Sequence, residues 1–339
     1  MRRLTSFLGA IVVAGLTASG ACADPVKIRQ GYGNAPGAMA PIVFEKPDLL
    51  KHYGKSYTVE FTRFGGASPQ MTAFAAGELD MANFAFANLG MAVINARLED
   101  VRILSDGFQD GVAGYYSVQF FAAKDSPVKG LADLKGKIIA TNAVGGAADI
   151  AMRGYMRQQH LEEKTDYRLV EGGFSTLVPM LLDHKVDVIA LVPPFNYDPR
   201  LKEQARVVFT QSDLIGQTQM NFVVGRAGFL EKNRAAVTDY YEDYIRGLRW
   251  FIDPANRQEA IAIIARFTKV PAEQYAGWLF DKGDFYHDPD ARINLAALKR
   301  NLETVQQLGL ISRPVDPAAY LDESFVLEAK KRLATSGAR

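Results

Sequence analysis

Segments with the apolar–polar pattern of strands alternate along the chain with segments that have the pattern of helices. Short runs such as "VKIRQGY" (26–32) and "YTVEFTRF" (57–64) predict strands, and longer runs such as "SPQMTAFAAG" (68–77) and "ANLGMAVINARL" (87–98) predict helices. From about residue 228 onward the apolar residues recur with the helical period, as in "RQEAIAIIARFT" (257–268). Alternating strands and helices predict largely parallel sheets with helices on both faces. Ligands of such sheets collect at the carboxyl ends of the strands.

One sequence pattern occurs twice. In the segment "FGGASPQMTAFAAGELDMANFA" (64–85), residues 64–83 align without a gap on residues 171–190, "EGGFSTLVPMLLDHKVDVIA". In each copy a strand ends, two glycines follow, and a helix begins near Ser68 or Ser175. We predict Ser68 as the N-cap of the first helix, with Pro69 at its first position. Helix starts present unpaired N–H groups that suit an anion or a carbonyl oxygen.

Either Gly-Gly pair alone is also typical of an ordinary turn between a strand and a helix. A third turn of the same kind, "IIATNAVGGAAD" (138–149), strengthens the interpretation as a ligand-binding cleft. Glycines in these turns let the backbone approach a ligand closely.

The N-terminus has the pattern of an export signal. Arg2 and Arg3 precede an apolar run, and Ala21-Cys22-Ala23 supplies the small residues of a cleavage site. We therefore predict a signal peptide over residues 1–23 and a mature chain from Asp24. The alternative is a lipoprotein cut at Cys22, but Ser19 stands where that signal has leucine or a similar residue.

Composition excludes several classes of function. Cys22 is the only cysteine, so the mature chain would have no disulfide, no thiolate nucleophile and no cysteine-ligated metal. Without Arg2 and Arg3 the 39 basic residues fall to 37 against 38 acidic ones, which lacks the basic footprint of a nucleic-acid binder. The four histidines are scattered, and "GYGNAPG" (31–37) departs from the dinucleotide fingerprint. We expect neither a metal nor a cofactor.

Five segments, in order, resemble the substrate-binding proteins of ABC importers of the nitrate, alkanesulfonate and taurine type, which are related to proteins of thiamine-pyrimidine synthesis. The segments are "GYGNAPGAMAPIVFEK", "FGGASPQMTAFAAGELDMANFAFANLGMA", "LADLKGKIIATNAVGGAADIAMRGYM", "VEGGFSTLVPMLLDHKVDVIALVPP" and "NFVVGRAGFLEKN". The segments run from about residue 26 to residue 235. The helical region after them resembles the family only in being mainly helical.

This resemblance implies a fold, an architecture and partners. The fold is α/β, the type II periplasmic binding protein, with two lobes joined by two crossover strands around a cleft. The first lobe would comprise residues 24–117 and 223–339, and the second residues 118–222. The chain would be a periplasmic monomer that delivers its ligand to a membrane permease and its ATPase.

The resemblance also carries a set of ligand-binding residues onto matching positions. The first lobe would contribute the loop after the first strand, the first Gly-Gly unit and the following strand end. The second lobe would contribute its glycine-rich turn and two later strand ends. The predicted residues are Asn34, Gly65, Gly66, Ser68, Asn83, Phe84, Asn142, Gly145, Gly146, Ala147, Phe174, Ser175 and Phe195.

Arg63 is a further candidate because it ends a predicted strand. Alternation places Val59, Phe61 and Arg63 on one face of the strand. At the cleft, Arg63 could form a bidentate pair with a carboxylate or sulfonate. The alternative is an arginine that extends into solvent.

The ligand class stays open. We favour a small organic anion, a taurine-like sulfonate or a carboxylate, over nitrate, bicarbonate, an aromatic carboxylate or a pyrimidine precursor. An enzyme on the same fold is the competing function. The relatives in thiamine-pyrimidine synthesis have a cysteine-rich motif and work inside cells, whereas this chain has a predicted export signal and no mature cysteine.

Overall fold

The structure is a computed structural model that describes residues 24–33, 35–65 and 67–335, so the predicted signal peptide, residues 1–23, lies outside the described residues. Its ten strands are β1 Val26–Tyr32, β2 Tyr57–Arg63, β3 Met81–Ala85, β4 Val101–Asp110, β5 Gln119–Ala123, β6 Ile138–Thr141, β7 Arg168–Glu171, β8 Val188–Leu191, β9 Ala205–Thr210 and β10 Thr218–Arg226. No helix within the described ranges combines the length and apolarity needed to span a bilayer.

Thirteen α-helices are described in the same residues. They are α1 Met39–Val43, α2 Ala67–Ala75, α3 Phe86–Ile94, α4 Ala147–Gln158, α5 Phe174–Leu182, α6 Pro199–Gln204, α7 Gln211–Ile215, α8 Ala227–Lys232, α9 Arg234–Ile252, α10 Arg257–Thr268, α11 Glu273–Ala276, α12 Leu295–Gln307 and α13 Ser324–Thr335.

The strands form two sheets with equivalent topology. The first sheet has the order β2-β1-β3-β10-β4 and the second the order β7-β6-β8-β5-β9. In each, the first three strands are parallel, and antiparallel strands complete the sheet. We call each sheet with its packed helices a lobe. The repeated sequence pattern is thus the same supersecondary unit placed once in each lobe.

The repeated sequence pattern aligns Asp80 with Asp187, and these two aspartates show the equivalence of the lobes at atomic detail. Asp80 Oδ2 accepts the backbone N–H of Arg29 in β1 at 2.9 Å, and Asp187 Oδ2 accepts the backbone N–H of Ile138 in β6 at 2.8 Å. Each aspartate also donates its own N–H to the carbonyl of that same residue. The aspartate therefore joins two neighbouring strands at the ends that face away from the cleft.

Helices cover both faces of each sheet. In the first lobe α1, α9, α10 and α13 pack on one face, while α2, α3 and α12 pack on the other. In the second lobe α4 and α7 pack on one face, and α5 packs on the other. Ile150 of α4 joins the core formed by α12, so the two lobes share apolar contacts.

Two details differ from the sequence predictions. Helix α2 begins at Ala67, so Ser68 is its second residue and not the predicted N-cap; α5 likewise begins one residue before Ser175, with Gly173 as N-cap. Strand β10 pairs with β4 from Thr218 onward, so residues 218–222, predicted for the second lobe, lie in a strand of the first sheet. The remaining lobe boundaries stay a prediction.

Candidate functional site: a cleft between the two sheets

A cavity of about 250 Å³ lies where the two lobes face each other. Loops from both lobes form its sides: residues 33 and 35–38 follow β1, and Val192 and Pro193 follow β8. Phe108 of β4 and Met220 and Asn221 of β10 form its floor. The segment between α11 and α12 closes it with Trp278, Asp284 and Phe285.

The strand order explains why the cavity forms at this place. From β1 the chain passes to β2 on one side and later to β3 on the other, and β6, β7 and β8 repeat that arrangement. The crevice between β1 and β3 is therefore a topological switch point, where open α/β sheets bind their ligands. The Gly-Gly turns follow β2 and β7, which are edge strands, so they lie one strand away from the switch point.

Three residues with carboxamide side chains line the cavity and are joined by hydrogen bonds. Gln70 Oε1 accepts the backbone N–H of Asn83 at 3.1 Å, and Asn83 Nδ2 donates to Asn221 Oδ1 at 2.8 Å. Asn83 Oδ1 is buried and has no hydrogen-bond partner among the described residues. This oxygen is an unsatisfied acceptor in a residue that lines the cavity, and buried acceptors without partners are costly.

Two further residues fix the position of Asn221. Its carbonyl accepts a hydrogen bond from Gln219 Nε2 at 2.9 Å, and Gln219 Nε2 also donates to Asp106 Oδ1 at 2.5 Å. Gly107 of β4 leaves room for the carboxamide, since a Cβ at residue 107 would come within 2.6 Å of Asn221 Oδ1.

Asp284 is the only ionisable residue among the described residues that line this cavity. Its oxygens accept the backbone N–H groups of Phe280 at 3.1 Å and Phe285 at 2.8 Å, and the residue is 5% exposed. Burial raises the pKa of Asp284 to about 7, although the two backbone hydrogen bonds favour the charged form. The cavity thus contains an acid and no cationic side chain within the described part of its lining.

Aromatic rings supply the apolar walls. Phe108 and Phe285 lie 4.8 Å apart between ring centroids. Trp278 is buried, and its Nε1–H donates to the carbonyl of Gln274 at 2.7 Å, so the indole presents its ring rather than its N–H.

A second cavity of about 550 Å³ adjoins the first and shares Trp278 with it. Phe174, Ser175 and Phe195 of the second lobe line it, opposite Glu273 and Gln274. The rings of Phe174 and Phe195 stack with centroids 5.0 Å apart.

The lobes also touch directly at this place. Tyr197 of the second lobe stacks on Trp278 at 6.0 Å between ring centroids, and its hydroxyl donates to the carbonyl of Gly283 at 3.2 Å.

The predicted site residues fall into several places. Asn83 lines the smaller cavity, and Phe174, Ser175 and Phe195 line the larger one. Phe84 is fully buried on the opposite face of β3, where it packs against Phe74 with 5.6 Å between ring centroids. Neighbouring residues of a strand point to opposite faces, so Asn83 and Phe84 cannot both face the cleft.

The glycine-rich turn of the second lobe makes hydrogen bonds to carboxylates of the same lobe. The N–H of Val144 donates to Glu171 Oε2 at 3.0 Å, and the N–H of Gly145 donates to Asp149 Oδ2 at 2.9 Å. Among the donors predicted to hold an anion, the N–H of Gly145 is therefore occupied by a carboxylate of the chain itself. The predicted residues of this turn, Asn142, Gly145, Gly146 and Ala147, are not among those that line either cavity.

Arg63 and Gly65 lie exposed at the end of the edge strand β2 and line neither cavity. Asn34 and Gly66 lie outside the described residues, and Ser68 is placed only as part of α2. Gln70, Asn221, Asp284 and the aromatic walls were not predicted from the sequence. An asparagine in the apolar run "MNFVV" (220–224) was the one local signal for Asn221.

His287 anchors the segment that closes the cavity, and its protonation makes stability depend on pH. It is buried, Nδ1 lies 2.8 Å from the carbonyl oxygen of Gly107, and burial lowers the pKa from 6.5 to about 4. The unfolded chain therefore binds a proton between about pH 6.5 and pH 4 that the folded protein does not bind. Stability from this histidine is complete above pH 6.5 and is lost as the pH falls toward 4.

We expect His287→Asn, whose amide can keep the hydrogen bond to Gly107, to remove this dependence. The unfolding free energy of the wild type minus that of the variant should rise by about 3 kcal/mol from pH 4 to pH 7. Urea unfolding of both proteins at several pH values measures the difference. A difference that does not change with pH would show that His287 does not titrate in this way.

The arrangement defines a class of protein: two similar α/β lobes with a small cavity between them, the type II periplasmic binding protein fold. The model of the NMT1-like family matches residues 22–265. The chain belongs to this family, because the match spans more than half of its 339 residues. A search of curated proteins found no match.

Solved structures share the fold. The periplasmic aliphatic sulphonate binding protein SsuA from Escherichia coli aligns with a TM-score of 0.68 at 19% identity, covering 89% of this chain and 99% of that one. The periplasmic nitrate-binding protein NrtA from Synechocystis PCC 6803 aligns with a TM-score of 0.67 at 14% identity, covering 91% and 89%. The predicted fold and the predicted family resemblance are thus confirmed.

An enzyme has the same fold. The desulfurization enzyme DSZB aligns with a TM-score of 0.64 at 15% identity, covering 91% of this chain and 99% of that one. The fold alone therefore does not separate a binding protein from an enzyme.

Proposed function

We propose that the protein is the substrate-binding component of an ABC importer: it captures a small solute between its lobes in the periplasm and delivers it to a membrane permease and its ATPase. The observation that carries this proposal is the cavity of about 250 Å³ that loops of both lobes and the two strands β4 and β10 build together. A ligand in that place contacts both lobes, so it favours the closed arrangement over the open one.

Several features support binding without chemistry. The described residues that line the cavity offer three carboxamides and one carboxylate, and they include no serine, lysine, histidine or cysteine. The sequence has no cysteine after Cys22. An enzyme on this fold is the alternative, supported by the similarity to DSZB. Ligand recovered chemically unchanged after incubation with the protein would separate the two functions.

A thermal-shift screen of residues 24–339 tests the proposal. The panel contains taurine, alkanesulfonates, nitrate, bicarbonate, aromatic carboxylates and pyrimidines. A ligand at 100 times its dissociation constant stabilises the folded state by about 2.7 kcal/mol, which raises Tm by roughly 5–10 °C. The protein is first unfolded and refolded to remove solutes that co-purify.

The result expected is a shift by one chemical class. The absence of a shift from every compound, with an empty cleft by native mass spectrometry, would contradict the proposed function. The organic anion predicted from the sequence is one of the tested classes.

A further inference from the structure

We propose that the cleft selects a compact, planar compound that presents N–H donors and has no negative charge, with Asp284 and the carboxamide oxygen of Asn83 as its hydrogen-bond acceptors. This inference rests on the proposed function and names the ligand class of the same cavity. It differs from the organic anion that the sequence predicted.

The polar groups that remain open to a ligand are mainly acceptors. Asn83 Oδ1 has no hydrogen-bond partner among the described residues, whereas Asn83 Nδ2 donates to Asn221 Oδ1. Asp284 adds two more acceptor oxygens, each with one backbone N–H and therefore with lone pairs to spare. Acceptors of this kind are matched by ligand N–H groups.

The charge of the cavity disfavours an anion. The lining contains the Asp284 carboxyl group and, within the described residues, no arginine, lysine or histidine. An anion placed here would face the carboxylate without a counter-charge, and burial in a low-dielectric site strengthens that repulsion. Of the backbone donors predicted from the sequence to hold an anion, the N–H of Gly145 is bonded to Asp149, and the neighbouring N–H of Val144 is bonded to Glu171.

The size and walls of the cavity suit a small flat ring. A cavity of about 150 Å³ lined by apolar side chains holds benzene, so about 250 Å³ holds a six-membered ring with one or two small substituents. Phe108, Trp278 and Phe285 offer flat apolar surfaces to such a ring. Gln70, whose Oε1 is bonded to the N–H of Asn83, also lines the cavity.

Three probe compounds that have similar shapes but different charges separate the possible ligand classes. Benzamidine is cationic with N–H donors, benzamide is neutral with N–H donors, and benzoate is an anion that only accepts. Isothermal titration with residues 24–339 at pH 8 should give binding in the order benzamidine, benzamide, benzoate, with benzamidine at least about 10-fold tighter than benzoate. Tighter binding of benzoate, or binding of none of the three probes, would overturn the inference.

Asp284→Asn tests the carboxylate itself. The variant should bind benzamidine about 10-fold to 100-fold more weakly, because it loses a charge-assisted hydrogen bond, and it should bind benzamide with a much smaller loss. Asp281→Asn is the matched control: Asp281 is exposed on the same segment and does not line the cavity. Equal loss of all three probes in Asp284→Asn would show a structural role and overturn the assignment.

The pH dependence of the wild type gives the same information without a variant. The pKa of Asp284 is about 7, so its charged fraction grows through that pH, and benzamidine affinity should rise about 10-fold from pH 6 to pH 8. Arg257 lowers the pKa of Asp284 electrostatically, and burial, together with the charges of Asp284 and Asp281, raises the pKa of Tyr197. Benzamide affinity should change little, and a parallel change in both probes would contradict a role for this carboxylate.

The outcome for the ligand class is separate from the outcome for the function. If a sulfonate or carboxylate in the broader panel stabilises the protein and these probes do not, the importer function stands and this inference fails. If nothing in either set binds to the emptied protein, both fail.

Discussion

Asn83→Leu should bind the stabilising solute about 100-fold more weakly than the wild type does. Leucine has the same branched shape and number of side-chain heavy atoms as asparagine, but it removes the acceptor Oδ1 and leaves Asn221 Oδ1 without the 2.8 Å hydrogen bond from Asn83 Nδ2. In the variant the ligand donor that Asn83 Oδ1 would accept is buried without a partner in the complex, which costs about 2–3 kcal/mol and corresponds to a factor of roughly 100 in affinity. Isothermal titration calorimetry measures the dissociation constants of the wild type and the variant.

Asn95→Leu is the matched control for this substitution. Asn95 is exposed at the end of α3, where its side chain makes one long contact of 3.4 Å to the carbonyl of Leu310. The control should bind like the wild type. If Asn83→Leu bound the solute as tightly as Asn95→Leu does, the solute would not contact this part of the cleft.

Asp243→Ala should destabilise the folded protein severely. Asp243 is fully buried in α9, and its carboxylate accepts the N–H groups of Lys51, His52 and Tyr53 at 2.8–3.2 Å. It also accepts the Tyr57 hydroxyl at 2.9 Å and pairs with Arg246 at 2.7 Å. Removing one partner of a buried ion pair leaves the other charge and several donors unsatisfied, which costs about 3–5 kcal/mol.

The expected result is a fall in Tm of about 10 °C, measured by calorimetry on protein without ligand. Glu231→Ala, at an exposed position of α8, is the control and should change the unfolding free energy by less than about 0.5 kcal/mol. Because Asp243 joins the 51–53 loop to α9 and does not line either cavity, the surviving folded protein should keep its ligand preference. A change in ligand preference would contradict this separation.

Local sequence patterns predicted most of the scaffold. The strand predicted over 26–32 is β1, and the helix predicted over 257–268 is α10. Their boundaries follow from apolar periodicity, which depends only on neighbouring residues. The Asp80 and Asp187 pair was visible as an aligned repeat, and its structural reason is a hydrogen bond to the next strand in each lobe.

The cleft was harder to predict because strand order, and not local pattern, decides which loops meet. Both Gly-Gly units follow edge strands, so the most conspicuous motif lies beside the switch point and not at it. Asp284 belongs to a segment without regular periodicity, "DKGDFYHDPD" (281–290), and its burial depends on contacts with distant strands. Nothing in the neighbouring residues distinguishes it from the exposed Asp281.

Binding of a solute between the lobes, beside Trp278, can be measured directly by fluorescence. The sequence has two tryptophans, and Trp250 lies away from both cavities, so Trp250→Phe leaves Trp278 as the sole fluorophore of its kind. Titrating the stabilising solute into Trp250→Phe should give a saturable fluorescence change with one site per chain, and Trp278→Phe should give none. A solute that raises Tm but leaves the fluorescence of Trp278 unchanged would show that it binds elsewhere and would contradict a site between the lobes.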